Sequence, residues 1–596
     1  MHDSTGTDGG SASSRDARAR LERAAVEVFG WSGLRPGQAE AMEEVLRGRD
    51  TLVVMPTGAG KSAVYQVPAV LLPGPTVVVS PLISLQRDQI EGLSDSDAPD
   101  AVAVNSAQGA GETAEAWRAV REGDAEYLLL SPEQLAKDEV VERLARTEPS
   151  LFVVDEAQCI SSWGHDFRPD YLRLGHVAER LGRPTLLALT ATAAPPVREE
   201  IVERLGMERP ARIVAGFDRP NLRLEVRGFL DEAEKRRAVV ERAAAEAKPS
   251  IVYTATRRES EEYAEQLADL GLAAVAYHAG LRSAERSRAH EAFLDGGLDV
   301  VVATSAFGMG IDKPDVRFVL HASVPGSPDA YYQEIGRAGR DGAPASAVLH
   351  YRSEDLGLQR FFSSGSPDTE TLADIADAVR GHDGPLPVAR LRERTGLSAG
   401  RLTAAVNLLE EAGAVAAVPD GGLAPAGDLD PREAADRAAG LDRARRRLEQ
   451  SRVEMMRGYA ETTGCRRRFL LGYFGEEYEP PCGNCDNCLA AEEERERERE
   501  GGNEPERYEE RGARGLPAQP VSLPEEGPRP DAGRFRTGAR VVHREWGEGL
   551  VMSEEGDRIT VLFDTVGYRT LSLDAVVGQE LLDLAEGQGG QDEPDG

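Results

Sequence analysis

Short apolar runs recur along the first third of the chain: TLVVM (51–55), TVVVS (76–80), YLLL (127–130), LFVV (151–154) and TLLAL (185–189). Turn residues bound each run, and a helix-length amphipathic segment separates it from the next. A second series follows to about Tyr351: SIVYT (250–254), AAVAYH (273–278), DVVVAT (299–304), RFVLH (317–321) and SAVLHY (346–351). Continuous apolar runs, as opposed to alternating ones, predict strands buried on both faces, so the expectation is two α/β domains in tandem, each a parallel sheet covered by helices. They fall at 17–215 and 216–365, with the hinge near Gly216 to Leu222.

The period then changes. TLADIADAVR, VARLRERTG and SAGRLTAAVNLLEEAGAV read as three helices, Ser398 is placed to cap the third, and VAAVPDGGLAPAG reads as a hairpin, so a winged-helix-like segment is expected over 366–430. A charged helix leads into a cysteine-rich module over 431–490, and a charged linker, partly helical at most, spans 491–535. Short strands separated by Gly and Asp return over 536–585 and predict a small β-barrel. Residues 1–16, rich in Gly, Ser, Thr and Asp without periodicity, are expected to be disordered.

Composition sharpens this picture. The 596 residues carry a net charge of −33, and five lysines (Lys61, Lys137, Lys235, Lys248, Lys313) leave 65 of the 70 basic residues as arginine. Global acidity argues against a phosphate-binding surface spread over the whole molecule. An acidic, lysine-poor chain fits a high-salt cytoplasm, and a GC-rich genome explains the arginine bias equally well. In high salt counterion release contributes little, so any nucleic acid must be held more by stacking and shape. Ala69 to Leu82, the longest apolar stretch, is broken by prolines and a glycine. With no signal-peptide pattern and no disulfide scatter, the expectation is a soluble, cytoplasmic, nucleoid-associated protein without a membrane partner.

The candidate chemistry begins at MPTGAGKS (Met55 to Ser62), which follows an apolar strand and opens an amphipathic helix. Backbone N–H groups around Thr57, Gly58 and Gly60 and the helix N-terminus would cradle phosphates. Lys61 would neutralise the β/γ oxygens, and Ser62 would ligate Mg²⁺. Met55 stands where the strict pattern has Gly. Asp155 and Glu156 close the strand LFVV as an acid pair: Asp155 would hold Mg²⁺, and Glu156 would orient and deprotonate the attacking water. In YYQEIGRAGRDG, Arg337 and Arg340 stand three apart, a spacing that on a helix aims both guanidinium groups at one target as arginine fingers. The stretch DEAQCISSWGHDFRPDY starts at the acid pair and carries Trp163, Phe167 and Arg168, groups suited to stacking on bases or contacting a strand.

Together FGWSGLRPGQ (29–38), MPTGAGKS, DEAQCISSWGHDFRPDY, LTATA (189–193), FDRPNL (217–222), YHAGL (277–281), ATSAFGMGIDKPDVR (303–317) and QEIGRAGRDG occur in the order found in RecQ helicases, and the chain resembles that family over about 20–350 and 455–490. The resemblance implies two RecA-like motor domains and an ATP-dependent helicase moving 3′ to 5′ on single-stranded DNA, with forked DNA as a further partner. It implies that Gln38 reads the adenine edge and Arg35 helps hold the nucleotide. Thr190 and Thr192 would couple hydrolysis to strand contacts, and Thr304 to Asp312 would link the phosphate site to DNA. The family usually has His where Gln158 stands, and Gln158 is expected to bridge to the second domain without carrying a proton. Competing readings are an RNA-remodelling ATPase and a DNA-binding adaptor with a degenerate motor, against which the intact Lys61, Asp155, Glu156, Arg337 and Arg340 count.

Cys465, Cys482, Cys485 and Cys488, spaced C-x16-C-x2-C-x2-C, match the family's zinc module and suit a closed Zn²⁺ site. Cys159 is left over and reads as a small apolar core residue. Arg466, Arg467 and Arg468 are candidate phosphate contacts. Two features depart from the family: the winged-helix-like segment precedes the cysteines, and its wing lacks an aromatic tip. The C-terminal barrel resembles the Tudor-like domain ending UvrD/PcrA helicases, which implies a protein partner, RNA polymerase or a repair factor.

Overall fold

In the computed structural model, residues 9–161, 167–308, 311, 313–357, 368–418, 422–501, 535–536, 538–555, 558–563, 565–579 and 581–585 are described. The first apolar series forms a seven-stranded sheet of β1 (Thr51–Val54), β2 (Thr76–Val79), β3 (Asp100–Val104), β4 (Ala125–Leu130), β5 (Leu151–Val154), β6 (Thr185–Thr190) and β7 (Ala211–Val214), in the order β3-β4-β2-β5-β6-β1-β7. Every pairing in it is parallel. β1, β2 and β5 are buried along their whole length, which is why they read as unbroken apolar runs.

A second parallel sheet has β8 (Leu222–Gly228), β9 (Ser250–Tyr253), β10 (Ala274–Tyr277), β11 (Val300–Ala303), β12 (Phe318–His321) and β13 (Ala345–Tyr351) in the order β10-β11-β9-β12-β13-β8. MPTGAGKS, DEAQ, LTATA, YHAGL and ATSAF lie at the C-terminal ends of β1, β5, β6, β10 and β11. This is where an open parallel sheet places its ligand. The first helix runs Gly9–Glu27, so ordered backbone starts inside the stretch expected to be disordered.

Three helices (Thr369–Arg380, Val388–Thr395, Ala399–Glu411) and a three-stranded antiparallel sheet of β14 (Leu386–Pro387), β15 (Val415–Ala417) and β16 (Gly422–Pro425) follow. The side chain of Ser398 accepts from the Arg401 N–H as an N-cap. The boundary placed at 430 divides one core: Ala434, Ala435, Ala438 and Ala439, on the first turns of the helix Pro431–Glu461, pack with Leu372, Leu402 and Leu409. Further along the same helix, Leu448 and Met455 join the core of the first lobe, and Val453, Met456 and Tyr459 join that of the second. One 31-residue helix thus seats the winged-helix-like segment and both motor lobes.

The C-terminal strands β17 (Arg540–His543), β18 (Gly547–Glu555), β19 (Arg558–Phe563), β20 (Gly567–Ser572) and β21 (Leu582–Leu584) form an antiparallel sheet ordered β20-β19-β18-β17-β21. No β20–β21 pairing closes it among the described residues. It is docked on the motor: Tyr568 is buried and stacks on Tyr473 at 5.3 Å, and Met552 and Leu562 join the first lobe's core. The preceding helix Asp486–Gly501 carries eleven residues, 491–501, into the expected linker, and 502–534 lie outside the described residues.

Candidate active site in the interlobe cleft

The turn after β1 is shaped by Gly58 and Gly60, at φ +81° and +78°, where a side chain would be strained. A Cβ on Gly58 would also sit 3.2 Å from Cγ of Arg340, so the second lobe's arginine lies directly on the phosphate loop. Lys61 Nζ donates to the Met55 carbonyl at 3.3 Å. Gln38 is buried, with Oε1 accepting from the Arg35 N–H at 2.8 Å and Nε2 donating to the Ala59 and Gly60 carbonyls at 3.0 and 2.9 Å; Arg35 donates to the Gly58 carbonyl. Arg35 and Gln38 thus both donate to the phosphate loop itself.

Asp155 ends β5 and is 7% exposed. Burial, with Glu156 beside it, pushes its carboxyl up to about 7, against the opposing pull of Lys61. A buried carboxyl with a partly buried one beside it would suit a divalent cation, for which Ser62 and Asp155 would be the donors. Glu156 sits in left-handed backbone at φ +49°. Its carboxylate accepts from Gln158 Nε2 at 2.8 Å, and Gln158 Oε1 accepts from the Thr190 hydroxyl at 2.6 Å. Gln158, expected to bridge to the second domain, instead joins the acid pair to LTATA within the first lobe. Thr190 in turn accepts from the Thr192 N–H at 3.2 Å, which fixes both threonines to this strand end.

Arg337 and Arg340 do not stand on a helix. The helix Pro328–Ile335 stops before both, and Arg337 and Arg340 lie in the turn beyond it, where Gly339 has φ +60°. Arg340 lies over Gly58, and Arg337 is 3% exposed and lies against Tyr253, on which Arg340 also acts. The lobes meet at this turn: Thr57 Oγ1 donates to the Gly336 carbonyl at 3.0 Å.

Of the aromatic stretch, Trp163 lies outside the described residues, as do Met309, Gly310 and Asp312 of the segment Thr304 to Asp312. Phe167 lies under the Arg445 guanidinium at 4.4 Å, and Arg445 pairs with Glu411 at 2.7 Å; Arg173 pairs with Glu410 at 3.1 Å. The root of the loop is thereby tied to the last turn of the third winged-helix-like helix, a link that sequence spacing across nearly 280 positions could not disclose. Arg168 donates to the Pro81 carbonyl at 3.0 Å. Cys159 is fully buried in the apolar core.

The four Sγ atoms of Cys465, Cys482, Cys485 and Cys488 lie within 4.8 Å of one another, and those of Cys482 and Cys488 are 3.9 Å apart. A tetrahedron of thiolates at the Zn–S distance of about 2.3 Å has edges of about 3.8 Å, so the cluster fits Zn²⁺. The Cys465 thiol donates toward Cys485 and holds it down near 4, while burial pushes Cys482 up to about 11. Metal binding would displace the remaining protons. The loop also pairs with the open edge of the second sheet: the Leu224 N–H donates to the Asn484 carbonyl at 3.2 Å and the Val226 N–H to Asp486 Oδ2 at 2.9 Å. Arg466 and Arg467 are not phosphate contacts. Arg466 is buried on Asp486 and the Tyr459 carbonyl, and Arg467 on Asp218 and the carbonyls of Arg219 and Leu222. Arg468 is half-buried on the same helix.

Two parallel-sheet lobes with a phosphate loop, an acid pair and arginines from the facing lobe define an ATP-driven motor of the helicase class. The chain matches the DEAD/DEAH box helicase family over residues 35–201, the helicase conserved C-terminal domain over 234–342 and the RecQ zinc-binding domain over 432–489. It is 35% identical over 473 residues to the probable ATP-dependent DNA helicase RecS of Bacillus subtilis, covering 79% of this chain and 92% of that protein. It is 34% identical to the ATP-dependent DNA helicases RecQ of Bacillus subtilis and Haemophilus influenzae, of which it spans 67% and 62%. The chain belongs to the RecQ family. Among the described residues no helix is long and apolar enough to cross a membrane.

Proposed function

We propose that the chain is an ATP-dependent DNA helicase that moves 3′ to 5′ on single-stranded DNA and unwinds duplexes, forked ones included, in recombination and repair in the cytoplasm. The observation that carries this reading is the contact of Arg340 and Gly336 with the phosphate loop at Gly58 and Thr57. In that arrangement the γ-phosphate would lie between the loop and the second lobe. Lys61 and Arg340 would then neutralise the charge that develops on the transferred phosphoryl group, and Arg337 would brace the turn from inside the second lobe. Glu156, oriented by Gln158, would accept the proton of the attacking water. Mg²⁺, held by Ser62 and Asp155, would supply charge neutralisation on the phosphates. Arg35 and Gln38 would exchange loop carbonyls for the adenine edge when nucleotide enters.

Trp163, Phe167 and Arg168 would contact the tracked strand. The C-terminal sheet would bind its protein partner, RNA polymerase or a repair factor, through the face turned away from Tyr473. Unwinding of 3′-tailed, 5′-tailed and forked duplexes, with ATP turnover measured alongside, tests the assignment. Turnover stimulated by single-stranded DNA and unwinding confined to 3′-tailed and forked substrates are expected. A preference for 5′ tails overturns the polarity, and equal stimulation by RNA overturns the substrate.

A further inference from the structure

The turn that carries Arg337 and Arg340 begins where the helix Pro328–Ile335 ends, and the last carbonyls of a helix have no partners within it. Those of Tyr332, Glu334 and Ile335 accept from the Gly336, Arg337 and Ala338 N–H groups, and the carbonyls of the turn beyond the helix are held from the hinge. Arg219, in FDRPNL, donates Nη1 to the Gly336 carbonyl at 3.3 Å and Nη2 to the Ala338 and Gly339 carbonyls at 2.8 and 3.0 Å. Asn221 Nδ2 adds bonds to the Gly339 and Ala343 carbonyls at 2.8 and 2.9 Å. The packing is closed: a Cβ on Gly339 would lie 2.5 Å from Asn221 Nδ2. The Gly336 carbonyl that Arg219 holds is also the one that receives Thr57 from the phosphate loop.

Arg219 is itself held from the zinc module. Its carbonyl accepts from Arg467 Nη2 at 3.1 Å, the Leu222 carbonyl accepts from the same nitrogen at 2.8 Å, and Arg467 Nη1 pairs with Asp218 at 3.2 Å. Arg467 stands two residues after Cys465 and is 5% exposed. We propose that Arg219, with Asn221, is a positioning residue that fixes the arginine-bearing turn against the phosphate loop, and that Arg467 makes this fix depend on the folded zinc module. A planar fork can satisfy three carbonyls that diverge around a turn, and an ammonium on a flexible stem cannot. Misplacing a catalytic group by about 1 Å costs on the order of 10²-fold in rate. The inference rests on the reading of Arg340 as a transition-state contact.

The test uses the full chain with saturating single-stranded DNA, and compares Arg219→Lys, Asn221→Ala, Arg467→Met and Arg340→Ala. It measures kcat and KM for ATP, affinity for ADP with and without aluminium fluoride, zinc content and melting temperature. Arg219→Lys is expected to lower kcat about 30- to 100-fold with KM changed less than about twofold, and to weaken the aluminium-fluoride complex by the same factor while ADP affinity holds. Arg467→Met should give the same split at about a tenth of that size. Unchanged kcat in Arg219→Lys, with Arg340→Ala inactive, overturns the proposal, as does a parallel loss of kcat and ADP affinity. Should Arg219→Lys lose zinc or melt early, Asn221→Ala decides by the same split, supporting the proposal if kcat alone falls and overturning it if kcat holds. An Arg340→Ala enzyme that keeps its kcat removes the reading of the arginines, and this proposal with it.

Discussion

The four-cysteine cluster and the ATP cleft are both built from short motifs, yet they are completed in opposite ways. Cys465, Cys482, Cys485 and Cys488 come from one 24-residue stretch, and the thiols alone set the tetrahedron. The cleft is divided: Lys61, Asp155 and Glu156 stand on one sheet, and Arg340 arrives from the other through a turn that Arg219 and Asn221 hold. A local site needs only its own segment to fold. A divided site needs the lobes to meet, so its chemistry can respond to whatever moves them. The zinc module touches that meeting point through Arg467, which makes the local site a support for the divided one.

Lys61→Ala is expected to lower DNA-stimulated ATP turnover about 10³-fold or more while zinc content and melting stay as they were. Cys485→Ser should act from the zinc module. Loss of the metal frees the loop that pairs with Leu224 and Val226, and both zinc content and ATP turnover should fall, the latter by about tenfold, with the lobe sheets still folded by circular dichroism. Turnover that survives complete zinc loss would separate the two sites again.

Asp155→Asn, in protein stripped of divalent metal, tests the electrostatics of the cleft. The carboxyl is raised from 3.8 to about 7, so its ionised form destabilises the fold from about pH 4 upward, and the destabilisation is complete above about pH 7. The amide should therefore raise the first melting transition by a few degrees at pH 8 and leave it unchanged at pH 4. Equal transitions at pH 8 would show that Lys61 compensates the buried charge. Gln158→Ala should lower turnover about tenfold by freeing Glu156 and Thr190, and the ratio of mutant to wild type should stay flat from pH 6 to 8, since an amide does not titrate in that range. Smallest, Phe167→Ala should cut the DNA-stimulated part of ATP turnover about threefold and leave the basal part alone. Equal loss of both would make the Arg445 contact a packing contact.

Much of the architecture was legible in the chain because buried parallel strands write themselves as unbroken apolar runs and because the phosphate loop and the acid pair sit at the C-terminal ends of such runs. The phosphate loop, the acid pair and the cysteine spacing were legible for the same reason: their partners are close in sequence. Spacing misled where the local conformation was assumed. Arg337 and Arg340 three apart imply one face only on a helix, and the helix ends at Ile335. Arg466 and Arg467 read as exposed cations because a basic run usually is one, and here Asp486, Asp218 and three backbone carbonyls take them inside.

Two parallel-sheet lobes, the residues able to handle phosphate and metal, and the thiols able to hold zinc follow from hydrophobic period and from chemistry within a few positions. Only the tertiary structure decided which groups face one another: Gln158 with Thr190, Phe167 with Arg445, Tyr568 with Tyr473, and Arg219 with the turn at Gly336. The physical reason is the same in each case. A hydrogen bond or a stacked ring depends on side chains brought within a few ångströms by the packing of separate elements, and no local pattern records which elements will pack.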